Sequence, residues 1–346
     1  SSNFYIQCKQ LTSLKKNIEY AWLKEINAQA LQGALGNLDR AFTNFFKKRT
    51  KYPKFKNKKG KNSFQVSQAI SIKETRLVIH KFKEGIKINL HRNFEGTIKN
   101  CTISKTATNE YFASILVATF CEPSEKTGSV IGIDLGIKDL VITSNGTKYK
   151  NNKYFRKYER KLATAQKHLS RKVKGSSRYE NQRLKVARLH KKIANSRKDT
   201  LHKISTKLIE ENDIICIEDL NVKGMIKNRK LAKSISDCSW GMFTTYLQYK
   251  ANWNDKQIVK INRFFPSSKM CGNCKEINHL LTLNDREWVC SNCGTFHDRD
   301  VNASNNILEE GLRIISSGIG DNTRGENVRP KPKSRGKSLR NEKPLN

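Results

Sequence analysis

The apolar positions of this chain change period several times, and each change marks an element. From residue 11 to 46 they recur every three or four: Leu11, Leu14, Ile18 and Trp22, then Leu31, Leu35, Leu38, Phe42 and Phe45. Such spacing lines one helix face, so two packed helices with a core stripe are expected, with a break near Gly33 or Gly36. From 62 to 122 short runs rich in Val, Ile and aromatics follow, several of them alternating with period two. These are 64–66, 70–72, 77–79, 86–90, 98–103 and 111–120, separated by turn residues such as Glu84-Gly85, Glu95-Gly96 and Thr108-Asn109-Glu110. They predict a small antiparallel β domain closed as a barrel. Beyond a linker from Pro123 to Gly128, the run Val130-Ile131-Gly132-Ile133-Asp134-Leu135 reads as a buried strand, followed by strands over 139–143 and 147–149. Helical spacing returns over 153–211 as a pair turned at Gly175-Ser176-Ser177. Ile214 to Leu220 is a second apolar strand ending in acids, 240–253 a helix and 257–261 a strand. Helices set between apolar strands imply an α/β sheet.

Composition narrows the partner. Among 346 residues, 67 Lys and Arg face 31 Asp and Glu, a formal charge of +36. Charge of that sign and size implies a polyanion, with nucleic acid the default. No segment approaches the roughly 20 apolar residues of a spanning helix, and no secretory signal opens the chain, so a membrane partner is not expected. The first residue is Ser rather than Met, which predicts a trimmed start or one inside a longer reading frame. The basic residues are concentrated. Lys47 to Lys61 holds nine of them and no acid, with Lys51, Tyr52, Lys54, Phe55 and Lys56 interleaving charge and aromatic rings. Between 153 and 198 lie seventeen Lys and Arg against two Glu, among them Lys153, Arg156, Arg160, Arg171 and Arg178. A charged linker and a solvated helix face are the plainer readings. Phosphate contact by the cations and stacking on the rings fit this pattern better. Arg329 to Asn346, with seven basic residues and three prolines, is expected to be disordered without nucleic acid.

Nine cysteines do not form a disulfide framework. Cys8, Cys101, Cys121, Cys216 and Cys238 are scattered, as suits a reducing cytoplasm or nucleoid. The other four sit in Cys271-x2-Cys274-x15-Cys290-x2-Cys293, the spacing of a four-cysteine zinc site, with Gly272 and Gly294 in the knuckles. Four thiolates close the shell, which makes the metal structural. His297 lies just beyond and is not needed as a ligand.

Three acids remain. Asp134 lies in a strand, Glu218 ends a later strand, and Asp298 or Asp300 opens a last helix, where an acid is most often a cap. Burying an unpaired carboxylate in an apolar strand costs several kcal/mol or more, so Asp134 calls for a partner. The order strand Asp, strand Glu, helix Asp is that of a ribonuclease H-like nuclease core. Carboxylates so arranged could hold two divalent ions, and hard oxygen ligands select magnesium or manganese.

The segments Gly132-Ile133-Asp134-Leu135-Gly136, Ile217-Glu218-Asp219-Leu220, and Cys290-x2-Cys293-Gly294 through Asp298-Arg299-Asp300-x-Asn302-Ala303 closely resemble the TnpB family. Its members are transposon-encoded RNA-guided DNA endonucleases with a RuvC-type core, related to compact type V CRISPR effectors. The Tyr52-Pro53-Lys54-Phe55-Lys56 segment and the order of regions also match. One departure is that no strand is read ahead of the Ile6-Gln7-Cys8 region, where members of the family begin with one. The resemblance implies Asp134, Glu218 and Asp300 as magnesium ligands, with Asp298 the alternative to Asp300. It implies a β-barrel wedge domain from 1–10 and 51–125, a helical recognition domain over 11–50 and a RuvC-like core from 126–262 and 297–313. A zinc-binding insertion over 263–296 and a basic tail over 314–346 complete the organisation. A guide RNA from the transposon end and a target double-stranded DNA are the implied partners, with one chain per RNA. Base pairing would read the target and the protein a short adjacent motif. Two rivals stand beside cleavage: a guide-dependent binding protein with an inert core, and an accessory transposition protein.

Overall fold

The computed structural model describes residues 3–318 except 56, 58, 59, 61, 121, 283 and 284. Lys56, Cys121 and the tail from 319 onward therefore lie outside the described residues. Contacts divide the chain into two units, Ser1–Glu122 with Arg156–Ser196, and Pro123–Phe155 with Arg197–Asn346. The expected core over 126–262 spans both units, since Arg156–Ser196 clusters with the N-terminal one.

The first unit opens on helix α1 (Phe4–Leu14), so residues 4–10 are helical and not part of a β domain as expected. Asn3 supplies the reason: its side chain accepts the Tyr5 N–H at 2.6 Å and caps the helix. A 3-10 turn, Ile18–Lys24, interrupts the expected first stripe. Its three-residue period throws Ile18 and Trp22 onto the surface, 91% and 55% exposed, so that stripe is not core. Helix α2 (Ala28–Phe46) is capped by Asn27, whose Nδ2 also donates to His80 O at 2.7 Å. Its apolar face is only half-buried, with Leu38 exposed.

Strands β1 (Asn62–Val66), β2 (Ser71–Lys73), β3 (Arg76–Ile79), β4 (Phe82–Lys87), β5 (Thr97–Lys105) and β6 (Tyr111–Ala118) follow. They form two three-stranded antiparallel sheets, β1-β5-β6 and β2-β3-β4. Val66, Leu77, Ile79 and Cys101 pack one shared core between them. Among the described residues no ladder joins the two sheets, so the expected closed barrel is an open pair.

The second unit holds a five-stranded sheet. Strands β7 (Val130–Asp134), β8 (Asp139–Thr143) and β9 (Lys148–Lys150) run as an antiparallel meander. Helices α3 (Tyr154–Ser170) and α4 (Ser177–Glu211) come next in the chain, then β10 (Ile214–Glu218), parallel to β7. Short helices α5 (Val222–Met225) and α6 (Ala232–Cys238) lead to α7 (Trp240–Trp253) and to β11 (Gln257–Ile261), parallel to β10. The strand order is β11-β10-β7-β8-β9. Ile133, Val141, Ile215, Ile217, Leu201, Leu208, Phe243 and Leu247 build the core on one face. Hairpin β12 (Glu287–Val289) and β13 (Phe296–Asp298) then precedes α8 (Arg299–Ser316), whose Ile307 packs with Cys216, Val259 and Ile261 on the other face.

Candidate active site and metal centre

Three segments distant in sequence bring their acids to one end of the sheet. Cys216 pairs with Gly132 and Ile217 with Ile133 in the parallel β7–β10 ladder, so Asp134 and Glu218 are the next residues on adjacent strands. Neighbouring strands lie about 5 Å apart, which places these two carboxylates side by side. The third acid arrives on α8, and two close approaches hold that helix. A Cβ at Gly132 would meet Ser304 O at 2.1 Å, and one at Gly311 would meet Cys216 Sγ at 2.2 Å. Glycine at 132 lets the helix backbone sit directly on β7. Asp300, one turn before Ser304, then falls beside Asp134.

The two candidates at the start of α8 separate cleanly. Asp298 is the N-cap: its Oδ1 accepts the N–H groups of Asp300 and Val301, both at 3.1 Å, and its other oxygen pairs with Lys148. Those contacts hold its carboxyl below the usual range despite partial burial. Asp300 is free of capping and bonds Arg286 Nη1 at 3.1 Å. Asp134 is pushed up to about 7, first by burial, then by the charges of Glu218 and Asp300. Glu218 is also raised, by burial, against a hydrogen bond from Ser267 Oγ. The trio remains looser than a closed cage. Among the described residues, the four thiols alone form a group of metal-type side chains whose ligand atoms all lie within 4.8 Å. Ser267 and Arg286 each hold one carboxylate of the trio, Glu218 and Asp300 respectively.

That thiol group is Cys271, Cys274, Cys290 and Cys293. The Cys271–Cys293 and Cys274–Cys290 sulfur separations are both 3.6 Å. A tetrahedron with 2.3 Å Zn–S bonds has sulfur–sulfur edges of about 3.8 Å, so the donor set fits zinc. Thr295 draws Cys293 down to about 6, toward thiolate, through its hydroxyl and its N–H, while burial pushes Cys271 up to about 11. His297 Nε2 lies 3.0 Å from Cys271 Sγ and its ring packs on Trp288, outside the four-sulfur set.

Sequence reasoning missed the side chains that tie this clip to the acids. Asn302 Oδ1 accepts the Gly272 N–H at 2.9 Å and its Nδ2 donates to Met270 O at 2.8 Å. Asn306 Nδ2 donates to the carbonyls of Ser267 and Met270, both at 2.8 Å. Ser267 in turn bonds Glu218. Asn302, Asn306 and Ser267 are all buried. Two asparagines one turn apart on α8 were the available signal, since buried amides demand partners.

Comparison with known proteins now decides the family. The OrfB_IS605 family, described as "Probable transposase", matches residues 104–229, and the "Cas12f1-like, TNB domain" family matches 240–307. A Streptomyces pristinaespiralis protein named "Putative RNA-guided DNA endonuclease" is 42% identical over 330 residues, covering 94% of this chain and 82% of the relative. An Escherichia coli K12 protein, "Putative RNA-guided DNA endonuclease InsQ", is 32% identical over 324 residues, covering 89% of this chain and 80% of the relative. The chain belongs to the TnpB family. A Cas12f1 chain, from a complex with sgRNA and target DNA, superposes with a TM-score of 0.53. The match covers 88% of this chain and 79% of that one at 12% identity, a likeness of fold.

In this TnpB chain the two matched regions divide the site. The first contains Asp134 and Glu218, the second the four cysteines and Asp300. The basic candidates lie elsewhere. Lys51, Tyr52, Lys54 and Phe55 are exposed in the segment between α2 and β1, and Tyr52 packs edge-on to Phe45 at 5.3 Å. Lys153 precedes α3, Arg156 and Arg160 stand one turn apart on it, and Arg171 and Arg178 flank the turn into α4; all are exposed. No described helix of this TnpB chain is long and apolar enough to cross a membrane.

Proposed function

We propose that the protein is an RNA-guided DNA endonuclease that hydrolyses phosphodiester bonds in DNA complementary to its guide, next to a short transposon-associated motif. Asp134, Glu218 and Asp300 are the carboxylates that hold magnesium or manganese. The observation that carries this reading is the β7–β10 register that sets Asp134 beside Glu218, with α8 seated on Gly132 and bringing Asp300 to the same end of the sheet. Hard carboxylate oxygens suit these ions. When bound, such ions acidify water and neutralise charge on the scissile phosphate. The protein's own part is to place the acids. The β7–β10 register sets Asp134 beside Glu218, Ser267 orients Glu218, and Arg286 steadies Asp300. Asp298 serves the helix, and its bond to Lys148 keeps it in that role.

A meander of three strands extended by two parallel ones supports a ribonuclease H-like RuvC core within 126–262 and 297–313, interrupted by the helical segment Arg156–Ser196 that clusters with the N-terminal unit. Residues 263–296 are its insertion, with Cys271, Cys274, Cys290 and Cys293 holding structural zinc. The N-terminal sheets and helices are the wedge and recognition parts. The exposed cations at 51, 54, 153, 156, 160, 171 and 178 contact the phosphates of guide or target, and Tyr52 and Phe55 offer stacking faces.

The test is to sequence the RNA that co-purifies with the protein, then to challenge the complex with a randomised DNA library and magnesium. Cuts confined to guide-matched sites beside one short motif are expected. Guide-matched binding without cuts would make the protein a guide-dependent regulator instead.

A further inference from the structure

Lys148 lies on β9, the strand at one edge of the five-stranded sheet. In the antiparallel meander Asp134 pairs with Ile142, and Ile142 pairs with Lys148. Residues paired across neighbouring strands share a face of the sheet, so Glu218, Asp134, Ile142 and Lys148 form one row. That row faces α8. Gly132, two residues before Asp134, lies against the helix backbone, while Tyr149, next to Lys148, packs into the core on the other face. Two strand spacings, about 10 Å, separate the backbone of Lys148 from that of Asp134. At the end of this row Lys148 Nζ meets Asp298 at 2.5 Å.

The tie falls where α8 is otherwise least fixed to the sheet. Further along, Ser304 sits on Gly132 and Gly311 on Cys216. Asn302 and Asn306 bind the helix to the thiolate clip. In the first turn, Asp300 is met by Arg286, and Arg299 Nη1 donates to Thr282 O at 2.9 Å. Arg286 and Thr282 belong to the insertion, not to the sheet. Among the described residues, the Lys148–Asp298 bond is the one polar contact that runs from the sheet to residues 298–301. Asp298 hands it on through the N–H groups of Asp300 and Val301, both at 3.1 Å. A line of contacts therefore leads from the edge strand to the backbone of the third acid.

We propose that Lys148 is a positioning residue for the acid cluster: it ties the first turn of α8 to the edge of the sheet and so sets Asp300 against Asp134 and Glu218. The inference rests on the endonuclease reading, in which those three acids hold the metal. A purely electrostatic role has the opposite sign. A cation near the acids opposes a divalent ion, so removing its charge tightens metal binding, whereas removing a tie loosens it.

The test uses the full chain with its co-purified guide RNA and Fe2+ as the probe. With ascorbate and peroxide, bound Fe2+ cuts the polypeptide close to where it sits. Mg2+ competes for the same place, and the Mg2+ concentration that halves the cuts reads affinity at the acids alone. Cuts near Asp134 and Asp300 are expected in the wild-type protein. In Lys148→Met the Mg2+ midpoint should rise about three- to fivefold, the factor that one exposed ion pair can hold. The Mg2+ needed for half-maximal DNA cutting should rise with it, and cutting should recover at saturating Mg2+. Lys148→Arg should stay near the wild-type midpoint. Asp298→Asn keeps a capping oxygen and gives up the charge, so it should shift the midpoint as Lys148→Met does, and the double variant should shift it no further. An unchanged or lowered midpoint in Lys148→Met overturns the proposal. So does a double variant that returns to the wild-type value, the mark of two charges cancelling. Either result leaves the endonuclease reading intact while the wild-type complex cuts matched DNA. A wild-type protein with no Fe2+ cuts near the acids overturns the metal assignment, and the tie with it.

Discussion

Asp134 is a carboxylate whose proton affinity is lifted by burial and by two neighbouring acids. Its folded pKa of about 7 stands above the usual carboxylate value of about 4, so between those limits the folded state binds a proton that the unfolded chain has lost. The stabilisation is complete below about pH 4, declines as pH rises, and is gone above about pH 7, a swing on the order of 4 kcal/mol. The metal-free protein should therefore lose stability from about pH 4 to about pH 7. Asp134→Asn, which has no proton to lose there, should flatten that slope in denaturant titrations. Equal slopes in the two proteins would mean that Asp134 is not a strained member of an acid cluster. The acids were legible in the sequence because a carboxylate in an apolar strand is conspicuous. Ser267, Asn302 and Asn306 were not, because a polar side chain acquires such a role only through partners far away in the chain.

At the scale of elements, helix α8 carries both the third acid and the anchor for the thiolate clip. Gly132→Ala would drive a methyl group into Ser304 O and displace the helix. A loss of about 1–3 kcal/mol is expected on overpacking grounds, with a fall in cutting that a surface control such as Gly241→Ala, where an added Cβ meets nothing, does not share. Denaturant titration with a parallel cleavage assay reads both; unchanged cutting would mean that α8 does not set the position of Asp300. The clip acts on the same helix. Cys290→Ser should remove the bound zinc, counted by elemental analysis as one per chain in the wild type, and lower the thermal midpoint. Retention of a full zinc equivalent would shift the site away from the four sulfurs. The sheet and the helices of the second unit were legible because their apolar periods are long and consistent. The start of the chain was not. Asn3 begins a helix where barrel sequence was expected, and a 3-10 turn breaks the Leu14, Ile18, Trp22 stripe. Short strands in two sheets share one core of four buried residues, a pattern that resembles a barrel in one dimension.

At the scale of the whole molecule, charge decides the partner and carboxylates decide the reaction. A surplus of 36 positive charges gives nucleic acid a salt-dependent hold on this surface. Replacing Arg156 and Arg160 together with Gln should weaken guide RNA binding and reduce the slope of log affinity against log salt by about one to two. An unchanged slope would take the first turns of α3 out of the RNA surface. Holding a polyanion does not cleave it, and the step from binder to nuclease rests on three acids meeting at one end of the sheet. The most direct measurement is magnesium-dependent cutting of guide-matched DNA by Asp134→Ala, Glu218→Ala, Asp300→Ala and Asp298→Ala proteins, each checked for intact guide binding. The first three should lose cutting, and Asp298→Ala, which removes a helix cap and its ion pair with Lys148, should retain part of it. Cutting by Asp134→Ala, or wild-type cutting by Asp300→Ala beside an inactive Asp298→Ala, would contradict the assignment.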